Sequence, residues 1–95
     1  MRANATTALL DEIKTAKGIE SDYKLAQVLE VRQQTITNYR SGRNQMSDEI
    51  AYRAARMLGR APGPVMAQIA GERAKDTQVS KVWAEIAKTL AKPPR

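Results

Sequence analysis

The chain of 95 residues contains no cysteine and no histidine. The absence of cysteine excludes disulfide bonds and thiolate catalysis. The absence of histidine removes the commonest general base and the commonest side-chain ligand of metals. Most classes of enzyme depend on one of these two residue types, so we predict that the protein is not an enzyme and has neither a metal site nor a cofactor.

Long apolar runs are also missing. No stretch approaches the roughly 18 apolar residues of a membrane span, and the N-terminal residues lack the apolar segment of a secretory signal. Apolar residues make up 42% of the chain and charged residues 27%, which are ordinary proportions for a globular protein. The length suits a single domain. We therefore expect one folded, cytoplasmic domain that does not contact a membrane.

Acidic residues are in the minority, and the excess of positive charge is unevenly distributed. Sixteen basic and ten acidic residues give a formal net charge of +6. The basic residues of segment 31–60 are all arginines, and only Asp48 and Glu49 oppose them. The planar guanidinium group of arginine suits phosphate groups and guanine edges. This distribution favours nucleic acid over a membrane surface as the ligand.

Helical periodicity runs along the chain, and the alternation typical of strands is absent. Ser47, followed by two acidic residues, is a typical helix start, and Pro64 suits the first turn of a helix. Glycines at the ends of several apolar patterns predict helix ends. We predict an all-α fold with six helices, approximately over residues 7–17, 23–29, 33–41, 47–59, 64–70 and 76–91.

The predicted helix over residues 33–41 has two distinct faces when its residues are placed about 100° apart. The packing face includes Ile36 and Tyr39. Glutamine and asparagine can form paired hydrogen bonds with adenine, whereas a solvated helix face ordinarily carries lysine and glutamate. The other face is therefore predicted to contact base edges, the alternative being an uncharged solvent face. That face is polar and uncharged and consists of Gln33, Gln34, Thr37, Asn38 and Ser41.

Segment 21–47 places two short helices about three residues apart, as in a helix-turn-helix. This segment resembles the helix-turn-helix of the phage repressor and Cro family, which is XRE-like. The resemblance covers about residues 6–72 and implies a five-helix DNA-binding domain over residues 1–72. Residues that match the family's small, apolar, aromatic and helix-ending positions are Leu25, Ala26, Leu29, Val31, Ile36, Tyr39 and Gly42.

Three residues depart from the family pattern. Glu30 stands where relatives commonly have glycine, so a positive φ there would be unfavourable. Asp22 occupies a place where relatives often have a glutamine that contacts phosphate. Arg32 replaces the usual serine or threonine cap and offers a phosphate contact instead.

The resemblance implies a sequence-specific regulator of transcription that binds double-stranded DNA, as a repressor of phage or mobile-element type. The helix over residues 33–41 would enter the major groove, and a homodimer would bind a near-palindromic operator. For Arg40 and Arg43 the alternative is ordinary surface charge, and we expect Arg53, Arg56 and Arg60 to be solvated. The predicted DNA-contacting residues are Arg32, Gln33, Gln34, Thr37, Asn38, Arg40, Ser41 and Arg43.

Residues 73–95 lie beyond the family domain and form an amphipathic helix with a predicted frayed tail. Its apolar stripe is too large to leave in water. The favoured prediction is packing against the same helix of a second subunit, with Trp83 as the central contact. The alternatives are folding back on its own domain and capture of another protein. The stripe, and hence the predicted dimerisation set, consists of Val79, Val82, Trp83, Ile86 and Leu90.

Two other classes of function stay open at this point. One is an antitoxin-like or adaptor module, in which the C-terminal helix binds another protein. The other is a recombination or architectural DNA-binding protein, which would bend its site strongly.

Overall fold

The computed structural model describes residues 4–91, and every regular element within that range is an α-helix. The all-α class and the six predicted helices are confirmed. None of these helices is long and apolar enough to cross a membrane. The tail for which we predicted fraying, residues 92–95, lies outside the described range. The helices are α1 (Ala5–Lys17), α2 (Asp22–Leu29), α3 (Gln33–Arg40), α4 (Asp48–Met57), α5 (Pro62–Arg73) and α6 (Thr77–Ala91).

Helix α1 begins two residues before its predicted start. The side-chain oxygen of Asn4 accepts a hydrogen bond from the Thr7 backbone N–H at 2.8 Å, and the Thr7 hydroxyl accepts one from the Asn4 N–H at 3.1 Å. This reciprocal pair is a capping box. Thr7 therefore lies within the first turn, and Asn4 is the residue that starts the helix.

Helices α1 to α5 surround one apolar core, to which α6 contributes no buried residue. The loop between α3 and α4 contributes Met46, which is fully buried. Burial of each large aliphatic side chain contributes about 1.5–3 kcal/mol, so this shared core holds the short helices in place. The buried side chains include Leu9, Leu10, Ile13, Leu25, Leu29, Ile36, Tyr39, Ile50, Ala54, Val65 and Ile69.

The turn between α2 and α3 has the unfavourable backbone conformation, a positive φ at a non-glycine residue, that the departure at Glu30 suggested. Glu30 has a φ of 59°, and among the described residues it is the one non-glycine residue with positive φ. Its conformation is supported from both sides: the Val31 N–H donates to the Ala26 carbonyl at 3.0 Å, and the Arg53 guanidinium donates to the Leu29 carbonyl at 2.9 Å. The prediction of Arg53 as a solvated side chain is therefore wrong, because it binds the C-terminal end of α2.

A cluster of charges connects α3 to α1 and α2. The Arg40 guanidinium contacts Asp11 at 2.8 Å and forms two hydrogen bonds to Asp22, at 3.1 and 3.2 Å. Lys14 donates to Asp22 at 3.2 Å. Partial burial acts to raise the pKa of Asp22, but the hydrogen bonds from Arg40 and Lys14 outweigh it, so the pKa lies below its ordinary value. The cluster thus consists of charged groups that stabilise one another.

A second polar contact joins the two ends of the domain. The Glu72 carboxylate accepts hydrogen bonds from the Thr6 backbone N–H at 3.0 Å and from the Thr6 hydroxyl at 2.6 Å. The same hydroxyl accepts from the Met46 N–H at 3.3 Å, and Arg73 donates to the Met46 carbonyl at 2.8 Å. The end of α5 therefore holds both the start of α1 and the loop before α4.

Helix α5 is longer than predicted at both ends, beginning at Pro62, and α6 packs closely against its C-terminal part. It continues through Gly71 to Arg73. A β-carbon added at Gly71 would lie 3.1 Å from the β-carbon of Trp83, and the Ser80 hydroxyl donates to the Gly71 carbonyl at 2.9 Å. Glycine is usually unfavourable inside a helix, but here its missing side chain allows the close approach. Helix α6 therefore folds back on its own domain.

The charge cluster makes stability depend on pH in the acid range. Because the pKa of Asp22 is lowered by folding, its contribution is fully present above the unfolded-state value and is lost as pH falls through the folded-state value. We expect Asp22→Asn to reduce the free energy of unfolding by about 1 kcal/mol at pH 7, and the difference from the wild type to shrink as the pH falls below the unfolded-state pKa of Asp22. Urea titrations across this range measure the difference.

The matched control is Glu49→Gln, which removes an exposed ion pair to Arg53 within one helix. Such pairs contribute about 0.3–0.5 kcal/mol. An Asp22→Asn effect no larger than this, or one that is the same at pH 3 and pH 7, would contradict the role given to the cluster.

The α5–α6 contact has a built-in reporter, because Trp83 is the one tryptophan of the chain. Leucine is a better helix former than glycine, so any loss of stability in Gly71→Leu comes from packing. We expect the variant to lose about 1–3 kcal/mol through overpacking and the Trp83 emission to shift to longer wavelength as α6 moves away. Gln27→Leu, at an exposed position of α2, which does not contact α6, is the control and should leave the emission unchanged. An unshifted emission in Gly71→Leu would show that α6 does not depend on this contact.

Candidate nucleic-acid interface

The polar face of α3 points away from the core. Gln33, Gln34, Thr37 and Ser41 are exposed and Asn38 is half-buried, whereas Ile36 and Tyr39 on the opposite face are buried. The two faces thus separate as the helical projection predicted. Since α3 has only eight residues, its buried side chains determine which residues it presents to solvent.

Two of the amide side chains on this face are already ordered. The Gln34 side-chain amide donates a hydrogen bond to the Asn38 side-chain oxygen at 3.0 Å. The bond leaves the Gln34 oxygen as an acceptor and the Asn38 amide as a donor. Adenine presents a complementary acceptor and donor in the major groove. This pair is therefore suited to an adenine edge and would lose little side-chain entropy on binding.

Hydroxyl groups on the same face bind the helix backbone. The Thr37 hydroxyl donates to the Gln33 carbonyl at 3.2 Å, and the Ser41 hydroxyl donates to the Asn38 carbonyl at 3.1 Å. The Thr37 hydroxyl oxygen can still accept, and its methyl group is suited to contact with a thymine methyl group. The hydroxyls thus fix side-chain orientation without adding charge.

The loop that follows α3 is held against the end of the helix. The backbone N–H groups of Arg43 and Asn44 donate to the Asn38 carbonyl at 3.0 and 3.3 Å, and Gly42 has a φ of 80°. Arg43 and Asn44 are both exposed. Sequence reasoning did not select Asn44. The polar residues that follow Gly42 were the one sign in the sequence that Asn44 belongs to this surface. Only the backbone hydrogen bonds to the Asn38 carbonyl place Asn44 beside the α3 face.

The arginines near this face fall into two groups. Arg32, directly before α3, and Arg43, three residues after its end, are exposed and form no ion pair within residues 4–91. Arg32 also makes no side-chain capping bond. Arg40, in contrast, is half-buried and bound to Asp11 and Asp22. Arg40 was among the predicted DNA contacts, but its guanidinium holds helices together.

The same cluster changes the interpretation of Asp22. The residue that caps α2 is Ser21, whose hydroxyl accepts from the Lys24 N–H at 3.1 Å. Asp22 is neutralised by Arg40 and Lys14 instead. Its carboxylate therefore adds little repulsion toward a phosphate group at the start of α2.

The predicted dimerisation residues do not form one set in the structure. Trp83 is half-buried against α5, whereas Val79, Val82, Ile86 and Leu90 are exposed. Trp83 is thus part of the packing of the domain, and its role as the central contact between two subunits stays a prediction. Of the other four, Leu90 lies against Gly63 of α5, and Ile86 lines a groove together with Met66 of α5.

The chemistry of the α3 face is that of binding. Its side chains are neutral amides and hydroxyls, and the flanking arginines are permanent charges. Within residues 4–91, no group of three or more acidic residues is placed to hold a metal ion. The face can donate and accept hydrogen bonds along one edge and attract anions at both ends.

No protein-family model, curated protein or solved structure matches this chain.

Proposed function

We propose that this protein is a sequence-specific regulator of transcription that binds double-stranded DNA, with α3 as the recognition helix in the major groove. The observation that carries the proposal is the α3 face: exposed amides and hydroxyls with no charge between them, and an exposed arginine at each end. Major-groove recognition needs hydrogen-bonding groups toward the bases and cations toward the phosphates. The face supplies both in one short helix.

The arrangement of α2 and α3 supports the same function. The turn between them is compact, and the buried Leu25, Leu29 and Ile36 connect their inner faces to the core. A recognition helix held in this way reaches the bases without rearrangement, so little binding energy is spent on ordering. One helix precedes α2 and α3 and two follow them around the shared core, which is the order that the resemblance to the phage repressor family implies. This order supports the proposal of a repressor that blocks or recruits polymerase.

Selection of bound sequences from a random pool of DNA duplexes tests this function directly. We expect a consensus sequence with adenine at one or more major-groove positions, because amide side chains dominate the α3 face. A pool that returns no consensus, with binding that depends on salt alone, would contradict sequence-specific recognition. Strong bending of the selected site would favour an architectural protein instead.

Specificity is expected to depend on the α3 glutamines. Gln33→Ala and Gln34→Ala should each weaken binding to the preferred site by about 1–3 kcal/mol and leave non-specific binding nearly unchanged. Because Gln34 is hydrogen-bonded to Asn38, its effect should not add to that of Asn38→Ala. Competition titrations with specific and random duplexes measure both quantities.

Gln68→Ala is the matched control, since Gln68 is an exposed glutamine on α5 that lines a groove with α6 residues. It should change neither quantity. If Gln33→Ala or Gln34→Ala weakens binding to all sequences equally, the amides do not recognise bases.

Affinity for every sequence is expected to depend on the arginines that flank α3. Arg43→Ala and Arg32→Ala should each weaken binding to all duplexes and reduce the slope of log K against log salt by about one, because one phosphate contact is lost. Arg56→Ala is the control, since Arg56 is exposed on α4. Arg53 is unsuitable as a control because it stabilises the end of α2. An unchanged slope in Arg43→Ala would make Arg43 an ordinary surface residue.

A further inference from the structure

We propose that Arg40 determines the sequence specificity of the α3 face without contacting DNA, as a positioning residue that fixes the rotation of α3 about its own axis. This inference rests on the proposed function and adds to it. All three nitrogen atoms of the Arg40 guanidinium are engaged inside the domain. Nη1 contacts Asp11 of α1 at 2.8 Å, and Nε and Nη2 donate to Asp22 of α2 at 3.2 and 3.1 Å. A phosphate group would bind this guanidinium only by displacing two carboxylates.

The apolar contacts of α3 fix its rotation only weakly. The buried residues of α3 are Ile36 and Tyr39, whose side chains lie about 60° apart around the helix. Apolar contacts have no preferred direction, and the start of α3 has no side-chain cap. Arg40 lies about 40° from Ile36 on the side toward Gln33, at the border between the buried and the polar face. Its hydrogen bonds are directional, so they oppose a roll of α3 on the core.

Base recognition tolerates only a small roll of the helix. Side chains reach about 5–6 Å from the axis of an α-helix, so a roll of about 20° moves a terminal amide by about 2 Å. A binding site must hold its groups within about 0.5 Å of their productive positions. Such a roll would remove the fit of the hydrogen-bonded Gln34 and Asn38 to a base. The long side chains of the flanking arginines would still reach phosphate groups.

The cluster around Arg40 supplies geometry and not attraction to DNA. It contains two basic and two acidic side chains, because Lys14 of α1 also contacts Asp22, at 3.2 Å. Helix α1 therefore provides both an acceptor for Arg40 and a donor that holds Asp22. Opposite charges this close together contribute little to the long-range attraction of a polyanion. Loss of one acidic member therefore has opposite effects on charge and on geometry.

The variant Asp11→Asn separates these two effects. It removes the α1 contact of Arg40 and also removes one negative charge from the domain. An effect of charge alone would strengthen binding to every duplex, whereas a misplaced α3 weakens binding to the selected sequence. We expect the ratio of specific to non-specific affinity to fall by about tenfold, because an amide pair loses its fit to a base. Competition titrations with the selected duplex and random duplexes measure this ratio.

Glu12→Gln is the matched control. Glu12 is the next residue of α1, and it pairs with Arg60, between α4 and α5, at 3.0 Å. The substitution removes the same charge and one ion pair from the same helix, but no contact of α3. We expect the ratio of specific to non-specific affinity to be unchanged in this variant.

Arg40→Lys distinguishes positioning from a phosphate contact. Lysine keeps the positive charge, but its ammonium group lacks the planar fork that meets both carboxylates. We expect the affinity ratio to fall as in Asp11→Asn, with an unchanged slope of log K against log salt. In this background Gln34→Ala should cost less than in the wild type, because the amide is already misplaced. Loss of stability alone would not produce this coupling when circular dichroism shows wild-type helix content at the temperature of the titration.

The outcomes separate this role from the proposed function. A wild type that prefers its selected sequence, with the same affinity ratio in Asp11→Asn and Arg40→Lys, overturns the role of Arg40 and leaves the function standing. An equal fall in Glu12→Gln also overturns it, since the effect is then one of charge. A slope that falls by about one in Arg40→Ala makes Arg40 a phosphate contact instead. A wild type that selects no consensus sequence overturns the proposed function, and this role with it.

Discussion

The candidate DNA-binding surface depends on one constraint: α2 and α3 are too short to be stable alone. Each has eight residues, and isolated helices shorter than about 12–15 residues are marginal in water. Their geometry therefore comes from tertiary contacts. The buried Leu25, Leu29 and Ile36 supply the apolar part. Arg40 adds directional contacts, because its guanidinium must meet Asp11 on α1 and Asp22 on α2 at the same time.

Arginine has two separate uses in this small domain. Where a carboxylate or the carbonyl end of a helix lies within reach, the guanidinium joins two elements, as Arg60 does with Glu12 at 3.0 Å and Arg73 with Asp48 at 2.6 Å. Where no such group is near, the charge stays available to a polyanion, as at Arg32 and Arg43. The number of basic residues in the sequence is therefore larger than the number available to bind DNA, because several arginines are paired with carboxylates inside the domain.

Helix α6 buries only part of its apolar surface on α5. Its residues toward α5 are small or flat, which permits the close approach at Gly71. Leu90 also lies against α5, at Gly63, whereas Val79, Val82 and Ile86 stay largely exposed. Because these side chains point away from α5, part of the apolar surface of α6 stays exposed.

The sequence by itself determined the helical class, the number of helices and the division of α3 into a buried and a polar face, because these follow from periodicity and local capping. The tertiary structure decided the features that depend on contacts between residues distant in the sequence. Arg40 and Arg43 look alike in sequence, and only the folded chain places Asp11 and Asp22 beside Arg40. Likewise Gly71 predicts a helix end from local propensity, yet α5 continues through it, and the missing side chain gives Trp83 of α6 room to pack.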